Sequence, residues 1–261
     1  MNLKDKTVLV TGASGGIGAA VAQALDDQGA QLILVGRKEQ ALQTLAKKIA
    51  GTPIIIIADL NTSEGRELII KQCIQSTGLD LMINLAGIMD FQFFEQQSVD
   101  SIEKIMVTNL LSPMLLCNRL LPLLKQKPEA AIVNVGSTFG SIGHPGFTTY
   151  CASKFGLRGF TEALQRELAD TTIKVLYLAP RATDTTLNSH QINKLNDALG
   201  NATDTPVQVA QELITLLKSN KHHRYVGWPE KLFVKLNALF PTIVHSALVK
   251  KIPIIRQFTD Q

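Results

Sequence analysis

Six short runs of apolar residues recur along the 261-residue chain, at 7–10, 31–35, 54–58, 79–84, 131–135 and 173–178, and constrain its fold more than any other feature. They are rich in Val, Ile and Leu and continuous rather than alternating, as strands buried on both faces must be. Stretches at 18–28, 39–49 and 161–169 carry apolar residues at helical spacing instead. Strands separated by crossover helices predict an α/β fold, a doubly wound parallel sheet in three layers. The length and the 45% hydrophobic content suit a single core.

Composition narrows the partners. A net charge of +4, dispersed along the chain, gives no clustered basic stripe for nucleic acid. Cys73, Cys117 and Cys151 are odd in number and far apart, which fits a reducing compartment better than a disulfide framework. Residues 1–6 lead straight into a strand without the apolar region of a signal peptide, and no apolar run reaches the length of a membrane span. A cytoplasmic location is expected. His222 and His223 lack cysteine or carboxylate neighbours at ligand spacing, so they read as a solvated strand start and no metal site is expected.

The first run leads directly into Thr11-Gly12-Ala13-Ser14-Gly15-Gly16-Ile17-Gly18, and a helix pattern follows. Glycine-rich sequence between strand and helix is a dinucleotide-binding signature. Gly12 permits the tight turn, Gly16 lets the backbone approach a pyrophosphate, and Gly18 allows helix to pack on strand, with the helix N-terminus facing the phosphates. The spacing is GxxxGxG rather than GxGxxG, and glycines alone would also suit an ordinary turn. At the end of the second strand a carboxylate would select NAD, whereas an arginine accommodates the 2′-phosphate of NADP. Leu34-Val35-Gly36-Arg37-Lys38 stands there, so Arg37 points to NADP(H), with NAD(H) second.

The fifth run ends at Asn134-Val135-Gly136-Ser137. Tyr150 follows thirteen residues later, and Lys154 four beyond it, at an apparent helix start. Positions four apart share a helix face, so Tyr150 and Lys154 can project into one cleft that Ser137 enters from the strand end. The expected chemistry is proton transfer by Tyr150, with the Lys154 ammonium stabilising its phenolate and Ser137 donating a hydrogen bond to a developing oxyanion.

TGASGGIG at 11–18, Asn84-Leu85-Ala86-Gly87, Asn109, Ser137 and Tyr150-x3-Lys154 together resemble the classical short-chain dehydrogenase/reductase family, over roughly the first two hundred residues or more. The resemblance implies a Rossmann-type fold and a homodimer or homotetramer. It makes Asn109 a fourth catalytic member beside Ser137, Tyr150 and Lys154, holding a water that connects Lys154 to solvent. Gly12, Ser14, Gly15, Gly16, Ile17 and Gly18 would cradle the cofactor, with Tyr150 and Lys154 also among its contacts. Asp59 and Leu60 match the adenine-contacting pair. Asn84, Ala86 and Gly87 match the ribose-lining segment, and Pro180, Thr183 and Thr185 the segment gripping the carboxamide. Two positions depart from the family pattern: Leu85 replaces a second Asn, and Arg181 a Gly. Arg181 could bind an acidic substrate group, but pairing with Asp184 is the expectation.

Residues 1–227 are expected to form the binding and catalytic domain, with a mobile substrate loop at about 186–206. The family's last strand normally ends near the terminus. Here residues 228–261 follow it as an amphipathic helical extension containing Lys231, Lys235, Lys250, Lys251 and Arg256. Such a helix can pack on its own cleft, on a partner subunit, or peripherally on the inner membrane surface. Trp228, Phe91, Phe93 and Phe94 are expected near the substrate, favouring a lipophilic one. The chain therefore reads as an NADP(H)-dependent oxidoreductase, reducing a ketone, aldehyde or 3-oxoacyl-type substrate. The alternative is an NADP(H)-binding sensor or scaffold with a docking tail.

Overall fold

A computed structural model describes residues 1–76 and 78–259. Seven parallel strands form one sheet, ordered β3-β2-β1-β4-β5-β6-β7. They are β1 (Thr7–Thr11), β2 (Gln31–Gly36), β3 (Ile54–Ile57), β4 (Leu81–Asn84), β5 (Ala130–Val135), β6 (Ile173–Ala179) and β7 (His223–Tyr225). All six apolar runs supply a strand. The seventh starts at the exposed His222-His223 pair, as read. Strand order reverses between β1 and β4, which pair with Val8 against Leu81, and this reversal opens a crevice at the carboxyl ends.

The continuous runs divide their side chains between two helical layers. Val8, Val10, Leu32 and Leu34 face α1 (Gly16–Asp26), α2 (Glu39–Ala46) and α8 (Pro206–Lys218). Leu9, Ile33, Met82 and Ile132 face α3 (Ser63–Gln75), α5 (Ser112–Leu124) and α6 (Thr148–Glu167). Each face takes every second residue, so a strand buried on both sides needs apolar residues throughout. The three cysteines are free and buried.

Helix α4 (Val99–Met106) runs into α5 through a π-helical turn, Val107–Leu111. The combined stretch Val99–Leu124 is long and apolar enough to cross a membrane, contrary to the expectation from the sequence. Leu116, Cys117, Leu120 and Leu124 nevertheless bury against the sheet, so its apolar residues serve the core.

Two further expectations change. The irregular loop expected at 186–206 contains α7 (His190–Leu199). Ser189 caps it by accepting from Ile192 N–H at 3.3 Å, Gly200 ends it at φ +65°, and Ile192 and Leu195 bury one turn apart. Its polar composition concealed so short an apolar stripe. The expected single tail helix is three: α9 (Glu230–Leu239), α10 (Pro241–Val249) and α11 (Ile252–Thr259). Pro241 starts α10, where its missing N–H costs nothing, and the chain bends by 118° between α9 and α10.

Candidate active site

Steric necessity builds the glycine turn. Gly12 adopts φ +70°, and a Cβ there would lie 2.7 Å from the Ala86 Cα; on Gly18 it would lie 2.2 Å from the Gly12 carbonyl oxygen. At Gly16 it would meet the Thr185 methyl at 2.9 Å. Gly16 thus makes room for the loop after β6, a contact the reading of a bare pyrophosphate approach missed. Together with Ser14, Gly15 and Ile17, these residues line one cleft. The same cleft is lined by Arg37, Lys38, Asp59, Leu60, Ala86 and Gly87.

Gly36 is tight for another reason. Its added Cβ would lie 2.6 Å from Ser14 Oγ, so the β2 end brings the Ser14 hydroxyl beside exposed Arg37. Asp59 accepts from Asn61 N–H at 2.9 Å, and Asn61 in turn accepts from Thr108. Asn61 and Thr108 line this cleft and were not anticipated, since lone polar residues at element ends carry no distinctive spacing. Asn84 differs from its expected placement: its side chain turns into the sheet, donating to Asn134 Oδ1 at 2.8 Å. Asn134 donates onward to Thr161 at 2.9 Å. This brace is present without the family's second Asn, whose position Leu85 holds; an Asn inside an apolar strand was its available signal.

A second, more apolar cleft adjoins the first, sharing Ile17, Leu85, Gly87, Thr185 and Leu187 with it. Ser137, Tyr150 and Lys154 meet on its wall. Ser137 leaves β5 in extended conformation, and its Oγ accepts from Phe139 N–H at 3.1 Å. The Ser137 hydroxyl and the Tyr150 phenol line the same wall. Lys154, 3% exposed, donates to the Val135 carbonyl at 3.0 Å.

Burial pushes the Tyr150 phenol up to about 12, opposed by the influence of the Ser137 hydroxyl. Burial also draws Lys154 down to about 8. The expected ammonium stabilisation of a phenolate is therefore not the dominant effect here; Lys154 Nζ lies 5.7 Å from the Tyr150 ring centroid and spends a hydrogen bond on Val135. Near neutral pH the pair is phenol and ammonium, a proton donor beside a cation.

Asn109 sits in the π-helical turn, fully buried. Its Oδ1 accepts from Ile88 N–H at 2.9 Å, while its Nδ2 donates to Ile88 O at 2.8 Å and Ser153 Oγ at 3.0 Å. A Cβ on Gly87 would lie 3.5 Å from both Asn109 Oδ1 and Lys154 Nζ, so the two groups converge there.

Past the wall of Ser137, Tyr150 and Lys154, Phe147, Ile192 and Leu195 bury beside Tyr150, and α11 adds Ile255. Phe91 and Phe93 belong to this cluster, whereas Phe94 and Trp228 are exposed and stand away from it. His144 lines the pocket too; it stacks on Phe139, and burial holds its imidazole below the usual value. Pro180 lines the same pocket, and Thr183 is held by a bridge to Asp204. Arg181 pairs not with Asp184, which is exposed, but with Asp204 at 2.6 Å and Glu230 at 3.1 Å. It also donates to Trp228 O at 2.9 Å, tying the loop after β6 to the start of α9.

A crevice at the strand reversal, steric room only for a glycine turn, and beside it half-buried Ser137 with buried Tyr150 and Lys154 define an α/β oxidoreductase. The short chain dehydrogenase family profile matches residues 6–196. The chain is 34% identical over 198 residues to a 3-oxoacyl-(acyl-carrier-protein) reductase of Rickettsia conorii, covering 76% of this chain and 79% of that one. It belongs to the short-chain dehydrogenase/reductase family and is an oxidoreductase enzyme. A candidate NAD(P)-dependent gluconate 5-dehydrogenase of Beutenbergia cavernae, solved with NADP, is 25% identical with a TM-score of 0.77, over 82% of this chain and 90% of that one. A short-chain dehydrogenase of Streptomyces avermitilis, 24% identical, shares the fold with a TM-score of 0.81 over 97% of this chain and 98% of that one, so the likeness in fold extends into the tail.

Proposed function

We propose that the protein is an NADP(H)-dependent carbonyl reductase acting on a lipophilic ketone, aldehyde or 3-oxoacyl-type substrate. The observation carrying this reading is the junction of the two clefts, where a neutral Tyr150 phenol and Ser137 line one wall of an apolar chamber. The glycine turn, in which a Cβ at Gly12 or Gly18 would collide with backbone, fits a pyrophosphate closely approached by main chain. Ser14 and Arg37 would hold a 2′-phosphate, Asp59 and Leu60 the adenine side, and Pro180, Thr183 and Thr185 the nicotinamide side. NADPH, when bound, supplies the hydride that the carbonyl carbon accepts.

Ser137 Oγ–H would donate to the carbonyl oxygen and hold it against Tyr150. As negative charge develops on that oxygen, Tyr150 passes it the phenolic proton. Lys154 holds a positive charge beside the phenolate left behind, and Asn109 sets the Ile88–Gly87 backbone against Lys154 on the route for proton resupply. The apolar lining from Phe147, Ile192 and Leu195 favours a hydrocarbon substituent over a sugar. The 34% identical Rickettsia reductase makes 3-oxoacyl compounds the first class to try. The reading places the enzyme in the cytoplasm as a homodimer or homotetramer.

NADPH oxidation against a panel of ketones, aldehydes and 3-oxoacyl thioesters is the direct test. Tyr150→Phe should lower turnover by about a thousandfold while NADPH fluorescence titration stays within about twofold. Retained turnover in Tyr150→Phe would overturn the mechanism.

A further inference from the structure

Beyond the catalytic pocket, the described residues hold an apolar surface that no neighbour covers. Helices α9 and α10 pack on each other and touch the body through few side chains. Val234 and Val244 are the buried residues of the pair, and Asn237 donates to the Ser141 carbonyl at 2.9 Å. At the bend between them Leu239 is 72% exposed, Ile243 62% and Phe240 54%. Side chains that would each gain roughly 2 kcal/mol on burial instead face water at the tip of a projecting hairpin.

The charges on the hairpin are placed for one kind of partner. Lys231 and Lys235 precede the tip and Lys250 and Lys251 follow it. Glu230 is the one carboxylate between 230 and 259, and Arg181 engages it. At helical rise Lys235 lies roughly 6 Å from Leu239 along α9, and Lys250 roughly 10 Å from Ile243 along α10. The lysines thus flank the apolar tip about one to two turns away on either side.

We propose that the α9–α10 hairpin docks on an anionic lipid bilayer, with Leu239, Phe240 and Ile243 among the acyl chains and the lysines at the headgroups. A second copy is a poorer occupant, because a two-fold contact through this surface would set lysines against lysines with no free carboxylate among the described residues of the tail to meet them. Docking would also place the pocket close to the bilayer. Helix α11 follows α10 directly, and its Ile255 and Phe258 pack into the cluster around Tyr150. Delivery of a membrane-dissolved carbonyl by this route rests on the reductase reading; the docking itself does not.

The full chain, sedimented with vesicles of phosphatidylcholine alone or mixed with phosphatidylglycerol, tests the proposal. Binding is expected to the anionic vesicles, weakened by salt. Ile243→Asp, and separately the milder Leu239→Ser, should lower the partition coefficient about tenfold, as should Lys235→Glu with Lys250→Glu. Each variant should keep its circular-dichroism melt and its NADPH oxidation with a water-soluble carbonyl. Equal sedimentation of the parent and the folded Leu239→Ser variant would overturn docking. So would failure to bind vesicles combined with a dimer, seen by ultracentrifugation, that Leu239→Ser dissociates. Vesicle binding without any carbonyl reduction would leave the docking standing and reject the reductase reading.

Discussion

The glycine turn after β1 and the α9–α10 hairpin after β7 both expose chain at the surface, yet one is overdetermined and the other underpacked. At Gly12, Gly18 and Gly36 an added methyl would collide with backbone or with Ser14, so the residue at each position is dictated by close neighbours. At Leu239 and Ile243 more than half of a large side chain touches nothing. A cofactor cleft works by being rigid before its ligand arrives, which requires dense packing around it. The docking proposed for the hairpin would complete its packing on the bilayer.

The largest expected effect lies at the catalytic wall. Lys154→Met should lower turnover at least about a hundredfold and at the same time stabilise the fold. The folded-state value of Lys154, about 8, lies below its ordinary 10.5. Between those values the unfolded chain binds more protons, so this lysine makes stability rise with pH there and weighs against the fold at neutral pH, by up to about 3 kcal/mol. Urea denaturation at pH 7 should give a higher midpoint for Lys154→Met than for the parent, with the gap shrinking towards pH 10. A lower midpoint at pH 7 would show that the Val135 hydrogen bond outweighs the desolvation of the ammonium.

A smaller effect separates rigid turn from loose tail. Gly18→Ala should destabilise the chain by about 3 kcal/mol and abolish NADPH binding, because its Cβ would press on the Gly12 carbonyl. The hairpin substitutions should leave the melting temperature nearly unchanged. If Gly18→Ala melts with the parent and binds NADPH, the turn is more compliant than the contrast requires.

The smallest change concerns cofactor choice. Arg37 is exposed, so its contribution is one screened ionic contact. Arg37→Asp should shift the ratio of kcat/KM for NADPH over NADH by about tenfold towards NADH. An unchanged ratio would move the assignment to Ser14 or Lys38, the other polar groups at the end of β2.

The meeting of Ser137, Tyr150 and Lys154 on one wall was legible beforehand because it depends on short-range geometry. Tyr150 and Lys154 share a helix face by their spacing of four, and Ser137 follows an apolar run that could only be a strand. The state of those groups was not legible. A lysine four residues from a tyrosine suggests a stabilised phenolate, but the surroundings of Tyr150 are buried and Lys154 turns to the Val135 carbonyl. Arg181 shows the same limit: Asp184 was near in sequence, whereas Asp204 is brought to it by the return of the chain after α7 and Glu230 by its return through α8 and β7.

The sequence alone determined the parallel sheet, the crevice at the strand reversal and the meeting of Ser137, Tyr150 and Lys154 on one wall. Those follow from periodicity, from glycine sterics and from spacings within one element, which act over a few residues. Tertiary structure decided what lines the apolar chamber: that 190–199 is helical, that the tail breaks at Pro241, that α11 closes on the chamber around Tyr150 while α9 and α10 project. Those outcomes depend on which apolar side chains win a place in the core. The amphipathic tail carried more apolar residues than its own domain had room to bury, and no local pattern could say which would be left outside.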